Sequence, residues 1–77
     1  MRDEILYKKV GARIRELRIL QNLSQQDLAA KCNFEKSNMS RLEAGKVNTT
    51  LSTLNKVSEA LGVEISDLFK FQNICND

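Results

Sequence analysis

Apolar residues recur with helical spacing along the first part of the chain. Four of them, at intervals of four, four and three positions, form one stripe, and basic residues occupy much of the remaining surface. The stripe consists of Leu6, Val10, Ile14 and Leu17. This pattern predicts an amphipathic first helix from about Glu4 to Gln21, ended by Asn22, a residue type that tolerates positive φ. Ile19 and Leu20 widen the stripe beyond what one small core needs, so we expect one of them to be exposed or to contact a partner.

Two shorter helical patterns follow, joined by a tight turn. Ser24 and Asp27 have the spacing of a capping box and predict the start of the second helix. Asn33 is expected to form the turn, again with positive φ, and the third helix then runs from about Glu35 to Glu43. A steep crossing of these helices requires a small side chain at their contact. The inward-facing residues of this segment are predicted to be Leu28, Ala29, Cys32, Phe34, Met39 and Leu42.

Two further helices are predicted after Gly45, which ends the third helix. Thr50 is a good N-cap for the fourth helix, and Gly62 is expected to break it. A short fifth helix is predicted to start at or just before Ser66 and to run through Lys70. The inward-facing residues here are predicted to be Leu51, Leu54, Val57, Leu61, Val63 and Ile65. The pattern therefore predicts an all-α, compact bundle of five helices.

Composition favours a single helical domain. The 77 residues are 42% hydrophobic and 29% charged, with no Pro and only three Gly, which favours helices over irregular structure. A chain of this length holds one small core, so residues 1–77 are expected to form one domain. No apolar run approaches the roughly 20 residues of a membrane span, and the first residues do not have the pattern of a secretory signal. We therefore predict a soluble, cytoplasmic protein that makes no membrane contact.

The chemically reactive residue types do not form the pattern of an enzyme or of a metal site. The chain has no His and no Gly-rich phosphate loop, and its two Cys residues, Cys32 and Cys75, have no further ligands nearby in the sequence. We interpret them as one buried thiol and one thiol in the tail. The sequence therefore predicts no catalytic activity, no metal and no cofactor.

The net charge of +2 is unevenly distributed along the chain. Residues 1–50 contain ten Lys or Arg and six Asp or Glu, a balance of +4, whereas residues 51–77 contain two and four, a balance of −2. The first part can therefore meet a polyanion while the last part faces away from it. The alternative interpretation is that both parts are ordinary solvated surfaces.

The third helix presents a row of polar side chains on its outward face. Lys36, Ser37, Ser40 and Arg41 occupy neighbouring turns at i, i+1, i+4 and i+5. The major groove accepts an α-helix, and Arg, Lys and Ser are among the side chains that bind base edges there. Polar surface helices are common, so this row alone does not distinguish DNA recognition from a solvated face.

Five segments give the row its context: RIRELR, LSQQDLAAKC, SNMSRLEAGK, TTLSTLNKVSEALGV and ISDLF. In this order and spacing, the chain from about Val10 to Phe69 resembles the helix-turn-helix family of lambda-type phage repressors, Cro proteins and Xre-like regulators. The resemblance implies a five-helix fold, a helix-turn-helix at about residues 24–44, and binding to double-stranded DNA. It also implies that Lys36, Ser37 and Arg41 contact bases, with Glu35 and Ser40 at the edges of that surface.

The resemblance further implies two roles behind the recognition helix. Gln25 matches a residue that hydrogen-bonds a phosphate and braces the first residue of the recognition helix. Arg18 and Glu43 match a pair that forms a partly buried salt bridge; a phosphate contact or a solvated charge are the alternatives for Arg18. Glu35 stands where the family often has a capping Ser or Thr, so its contact with cytosine N4 and a mere capping role both remain open.

Polar donors are concentrated around the ends of the second and fourth helices. Helix N-termini carry free amides that bind phosphates. The candidates for phosphate contact are Ser24, Gln25, Lys46, Asn48, Thr49 and Thr50. The alternative interpretation is a polar loop followed by a cap, which uses the same residue types.

The C-terminal segment is unusually apolar for the end of a small protein. Phe69, Phe71 and Ile74 cannot share one helical face, so some are expected to be exposed in a monomer. We predict a dimer contact through a C-terminal element at about residues 63–77, which includes Leu68, because dimers place two recognition helices about 34 Å apart. The competing prediction is a tail that folds back over the monomer core.

The sequence as a whole predicts a dimeric, sequence-specific transcriptional regulator that binds a palindromic or pseudo-palindromic operator. Its size resembles that of restriction-modification controller proteins. The alternative function is that of an antitoxin, or another interaction module, that binds a protein partner through its apolar C-terminal surface.

Overall fold

The computed structural model describes residues 1–71, which form four α-helices and one 3-10 helix. No strand occurs in this range. The α-helices are α1 (Asp3–Leu20), α2 (Gln25–Cys32), α3 (Lys36–Glu43) and α4 (Leu51–Leu61), and the 3-10 helix is Ile65–Phe69. The all-α prediction is confirmed. The short fifth helix predicted around Ser66 is a 3-10 helix, so a bundle of five α-helices is not confirmed. Of the predicted tail residues, Ile74 and Cys75 lie outside the described range.

The fifth element is a 3-10 helix because it is too short to develop an α-helical hydrogen-bond ladder. The Asp67 amide donates to the Glu64 carbonyl at 2.9 Å, and the Lys70 amide donates to the Asp67 carbonyl at 3.3 Å, both with three-residue spacing. Arg13 Nε also donates to the Asp67 carbonyl, at 2.8 Å. Arg13 thus ties α1 to the 3-10 helix.

The local sequence sets the ends of the helices. Asn22 and Asn33 have φ values of 59° and 60°, which confirms the left-handed conformation predicted for both. The Asp27 amide donates to Ser24 Oγ at 2.9 Å, and the Ser24 amide donates to Asp27 Oδ2 at 3.0 Å, so the predicted capping box is present. Thr50 Oγ1 accepts from the Thr53 amide at 3.2 Å and caps α4.

The capping box gives a prediction about acid stability. Hydrogen bonds from the Ser24 amide and then the Ser24 hydroxyl lower the pKa of Asp27 below its ordinary value of 3.8. A carboxylate with a depressed folded-state pKa stabilises the fold above its unfolded-state pKa, and that contribution is lost as the pH falls through the folded-state pKa. We expect Asp27→Asn to unfold more easily than the wild type above the unfolded-state pKa of Asp27, with the two chains converging as the pH falls through its folded-state pKa. Urea unfolding followed by circular dichroism across this range measures the difference; a gap that persists undiminished in acid would contradict the assignment.

The core lies where α1, α2, α3, α4 and the 3-10 helix meet. Its buried apolar residues are Val10, Ile14, Leu17, Leu28, Ala29, Cys32, Met39, Leu42, Leu54, Val57, Leu61 and Leu68. The predicted stripes of α1, α2 and α3 are therefore confirmed except for Leu6, which is only half-buried. Ile19 and Leu20 are both exposed, where one was expected to be.

Leu51 and Leu68 differ in burial from the prediction. Leu51 was predicted to be in the core, but it is 73% exposed because it lies in the first turn of α4, on the flank of the face that Leu54, Val57 and Leu61 bury. Leu68 was predicted to be at a dimer interface, but its side chain is fully buried in the core and cannot contact a second copy. The three-residue turn of the 3-10 helix directs Leu68 inward and leaves Phe69 outside.

Helix α1 passes unusually close to the end of α3, and Gly11 makes this approach possible. A Cβ on Gly11 would lie 2.6 Å from the carbonyl oxygen of Glu43 and within contact of the Leu42 carbonyl. Both are backbone atoms, so the clash cannot be relieved by a rotamer change. Gly11 therefore fixes how deeply the C-terminal end of α3 packs onto α1.

Candidate nucleic-acid interface

The angle between α2 and α3 is fixed by a turn and by buried side chains on both helices. The amide of Phe34 donates to the Ala29 carbonyl at 2.8 Å, and the left-handed Asn33 reverses the chain between them. Ala29 is buried, as the close crossing of the two helices requires, and Phe34 is half-buried against the core. Since buried residues from both helices share the same core, α3 is held as a rigid element.

The outward face of α3 is polar and exposed over its whole length. The predicted base-contacting residues Lys36, Ser37, Ser40 and Arg41 are all exposed, and Glu35 precedes them as the exposed N-cap residue. The Glu35 side chain makes no capping hydrogen bond. Among residues 1–71, no carboxylate lies within ion-pair distance of Lys36 or Arg41. Both cations are therefore available to a ligand that carries acceptors.

Asn38 is a further polar residue of α3. It is exposed at the side of the helix that faces the α3–α4 loop. It lines a groove of about 260 Å³ with Asn48, Thr49 and Thr50. The polar surface of α3 thus continues through Asn38 into the loop, where it meets three of the predicted phosphate contacts.

A buried ion pair lies behind this surface. Arg18 Nε donates to Glu43 Oε2 at 2.7 Å, and Arg18 Nη2 donates to Glu43 Oε1 at 3.2 Å, which makes the pair bidentate. The two side chains are only 10% and 3% exposed. Arg18 Nη1 also donates to the Leu23 carbonyl at 2.7 Å. The pair joins α1, the α1–α2 connection and the last residue of α3, as the predicted salt bridge requires.

Gln25 belongs to the same network. It is the first residue of α2, it is half-buried, and its Nε2 donates to Glu43 Oε1 at 3.0 Å. The resemblance implied a brace to the first residue of the recognition helix, whereas the hydrogen bond of Gln25 goes to the last residue, Glu43. Ser24, the other predicted phosphate contact at this helix end, is exposed and caps α2.

The connection between α3 and α4 is compact. Gly45 has a φ of 72°, and a Cβ there would lie 2.5 Å from the Cα of Lys8, so this turn requires glycine both for its conformation and for its contact with α1. Lys46 and Asn48 are exposed in this loop, and Thr49 is half-buried. The loop therefore presents its donors on a short segment held against α1.

Two aromatic residues near the end of the described range, Phe69 and Phe71, differ in exposure. Phe69 is 40% exposed, whereas Phe71 is half-buried against the core. The two rings are 6.4 Å apart in an edge-on arrangement, and Lys9 Nζ lies 5.7 Å from the centre of the Phe71 ring. Up to Phe71, the chain therefore folds back over α1, while Phe69 remains accessible.

Other kinds of site find little support within residues 1–71. Cys32 is buried, and desolvation raises the pKa of its thiol. No group of three potential metal ligands occurs in this part of the chain. No helix among the described elements is long and apolar enough to cross a membrane.

Two features of the site were not predicted from the pattern of residues. Gly11 lies inside α1, and a glycine in an otherwise regular helix is the kind of signal from which a close backbone approach can be predicted. The hydrogen bond between Gln25 and Glu43 joins residues 18 positions apart on different helices, and no local spacing indicates such a contact.

Comparison with known proteins identifies the family. Residues 13–73 match the Cro/C1-type HTH DNA-binding domain. The control protein C.BamHI of Bacillus amyloliquefaciens is 37% identical over 67 residues, which cover 86% of this chain and 83% of that protein. The immunity repressor protein of Bacillus phage phi105 is 40% identical over 57 residues, which cover 74% of this chain and 40% of the repressor.

A solved structure gives the same result. The restriction-modification controller protein C.AhdI from Aeromonas hydrophila superposes with a TM-score of 0.80 at 36% identity, covering 82% of this chain and 96% of that one. These similarities confirm the resemblance inferred from the five sequence segments. The chain belongs to the Cro/C1-type helix-turn-helix family of DNA-binding regulators.

Proposed function

We propose that this chain is a dimeric, sequence-specific transcriptional regulator in which the outward face of α3 enters the major groove of its operator. The observation that carries the proposal is the exposed polar face of the rigidly held α3, on which Lys36 and Arg41 have no carboxylate partner among residues 1–71. Arg41 and Lys36 supply donors for guanine O6 and N7, and Ser37 supplies a short hydroxyl that bonds several base edges. Glu35 and Ser40 lie at the edges of this surface.

The phosphate contacts are proposed for both sides of α3. Ser24 and Gln25 lie at the N-terminus of α2, where free amides and the helix dipole favour an anion. The connection from α3 to α4 contains the other candidates, Lys46, Asn48, Thr49 and the N-cap residue Thr50. Lys46 adds a positive charge there. Contacts on both sides set the orientation of α3 in the groove, while the α3 side chains supply the sequence information.

Among regulators of this family, we propose the restriction-modification controller subtype. The support is that the alignments with C.BamHI and C.AhdI cover 83% and 96% of those chains, so little of either lies outside the match. Regulation would then follow from protein concentration and operator occupancy, in the compartment that holds the DNA. The alternative, an antitoxin or interaction module, predicts an equally folded chain that binds a protein partner and shows no preference among DNA sequences.

Selection of binding sites from random duplex DNA tests this function. The wild type is expected to enrich one motif with approximate two-fold symmetry and half-sites about one helical turn apart. Equal recovery of all sequences would contradict the proposal and favour the interaction module.

We propose that the dimer forms through the apolar groove beside Phe69 rather than through Leu68. Phe69 and Leu51 are exposed and line the same groove, of about 200 Å³, together with Leu6 and Val47. Phe69, which belongs to the predicted C-terminal element at residues 63–77, and Leu51 of α4 therefore share one apolar groove. Isologous burial of this groove removes both side chains from water.

Leu51→Ser and Phe69→Ser are each expected to weaken the dimer about tenfold or more, because full burial of one such side chain contributes roughly 1.5–3 kcal/mol. Sedimentation equilibrium measures the dimer dissociation constant. Leu20→Ser is the matched control for Leu51→Ser, since Leu20 is 71% exposed and Leu51 is 73% exposed, but Leu20 does not line the groove. A wild type that remains monomeric well above micromolar concentration would rule the dimer out.

A further inference from the structure

The carboxylate of Glu43 accepts three hydrogen bonds inside the protein. Arg18 donates two hydrogen bonds to it, and Gln25 Nε2 donates a third at 3.0 Å. Its side chain is 3% exposed, so it cannot contact DNA itself. Two of the three donors belong to the buried ion pair, while the third belongs to a half-buried residue at the N-terminus of α2.

This contact fixes which end of the Gln25 carboxamide faces inward. An ionised carboxylate only accepts hydrogen bonds, so the nitrogen of Gln25 must point at Glu43; the flipped amide would place its oxygen against the carboxylate. The amide nitrogen carries two hydrogens, and Glu43 occupies one of them. The second hydrogen remains as a donor whose direction is set by the first.

We propose that Glu43 is a positioning residue for DNA binding, because it holds Gln25 with its second N–H directed at a backbone phosphate beside the α2 N-terminus. The inference rests on the proposed function and adds to it a route from the protein core to the DNA backbone. Because the side chain of Gln25 is already ordered in the free protein, binding does not have to order it. Through Gln25, the ion pair between Arg18 and Glu43 thus helps to set the position of α3 on the DNA, in addition to stabilising the fold.

The neighbouring residue provides a matched control. Gln26 has the same side chain and also lies in the first turn of α2, but it is exposed and makes no hydrogen bond with Glu43. A phosphate contact by Gln26 would therefore not depend on Glu43. Comparing Gln25→Ala with Gln26→Ala separates positioning by Glu43 from a general property of this helix end.

The test is a mutant cycle in DNA affinity, measured by fluorescence anisotropy with a duplex selected by the wild type. The second background is Arg18→Met/Glu43→Met, which removes the buried cation together with its counterion and so leaves no unpaired buried charge. We expect Gln25→Ala to weaken binding about tenfold in the wild type, as for a hydrogen bond to a charged group, and less than about twofold in the second background. Gln26→Ala is expected to have the same effect in both.

An equal loss for Gln25→Ala in both backgrounds would overturn the positioning role. If the wild type selects one DNA motif but Gln25→Ala does not weaken its DNA affinity, the phosphate contact of Gln25 would be overturned, while sequence-specific DNA binding would stand. A wild type without sequence preference would instead contradict the proposed function itself. A second measurement needs no variant. In the DNA-free wild type, NMR relaxation is expected to show a restricted Gln25 side-chain amide and a mobile Gln26 one; equal mobility of the two amides would also overturn the proposal.

Discussion

Gly11→Ala is expected to destabilise the fold by about 3 kcal/mol, the upper end of the usual cost of overpacking a core. The new Cβ would lie 2.6 Å from the Glu43 carbonyl oxygen, so α1 and the end of α3 must separate. The sign is opposite to that of helix propensity, because Ala is favoured over Gly by about 1 kcal/mol in a helix interior without such a contact. Urea unfolding followed by circular dichroism measures the change.

Gly62→Ala is the matched control for this substitution. Gly62 has a φ of 70°, but a Cβ there would meet no atom within 4 Å. Its replacement is expected to cost only the left-handed backbone penalty of about 1–2 kcal/mol. If Gly11→Ala were neutral or stabilising, the close packing of α1 against α3 would be wrong. A weaker DNA affinity of the folded fraction of Gly11→Ala is also expected, because the displaced element is the helix proposed to enter the major groove.

Arg18→Met is expected to destabilise the protein by about 3–5 kcal/mol, because it leaves the buried carboxylate of Glu43 without its counterion. Domains of this kind have total stabilities of about 5–15 kcal/mol, so a large part of the folded state's margin is lost. Gln25 remains as a neutral donor to Glu43 and offsets only a part of the desolvation. Chemical unfolding of the variant and the wild type, under the same conditions, gives the difference.

Two comparisons separate this effect from a general effect of charge. Glu16→Gln breaks the more exposed pair between Arg13 and Glu16, with N–O distance 2.7 Å, and is expected to cost less than about 1 kcal/mol. Arg18→Met/Glu43→Met removes both buried charges and is expected to recover most of the stability lost in Arg18→Met alone. If Arg18→Met cost no more than Glu16→Gln, the pair would not contribute as a buried network.

The features predicted correctly from the sequence are those that local chemistry determines. Asn22 and Asn33 have positive φ because an Asn after a helical stripe tolerates the left-handed conformation, and Ser24 with Asp27 forms a capping box because the two are three residues apart. The outward face of α3 also follows from spacing, since Met39 and Leu42 fix the buried side of a short helix.

The features that were missed depend on tertiary geometry. Leu51 continues the apolar stripe of α4, but only the position of the helix relative to the core shows that its first turn is exposed. Leu68 and Phe69 are adjacent apolar residues, and the 3-10 conformation decides which of them is buried. The partner of Gln25 lies on another helix, so residue spacing could predict a role at the interface but not the contact with Glu43 that orients it.

The structure separates two requirements of a DNA-reading helix. Rigidity comes from residues that do not meet the DNA, such as Gly11 and the pair of Arg18 with Glu43, while sequence information is proposed to come from exposed residues whose replacement leaves the core intact. Variants of the first kind are expected to alter stability and affinity together. Variants of the second kind are expected to alter DNA affinity and preference while leaving the stability of the fold unchanged.

The central claim is that the outward face of α3 recognises base sequence, and Arg41→Ala tests it most directly. Affinities of the wild type, Arg41→Ala and Lys46→Ala are measured for the selected duplex and its single-base variants, across a range of salt concentrations. Arg41→Ala is expected to weaken the binding free energy by about 1–3 kcal/mol and to relax the preference at one base position. Lys46→Ala is expected to weaken binding to all sequences alike and to reduce the slope of log affinity against log salt concentration by about one. An Arg41→Ala variant that keeps the wild-type preference at every base position would contradict the account.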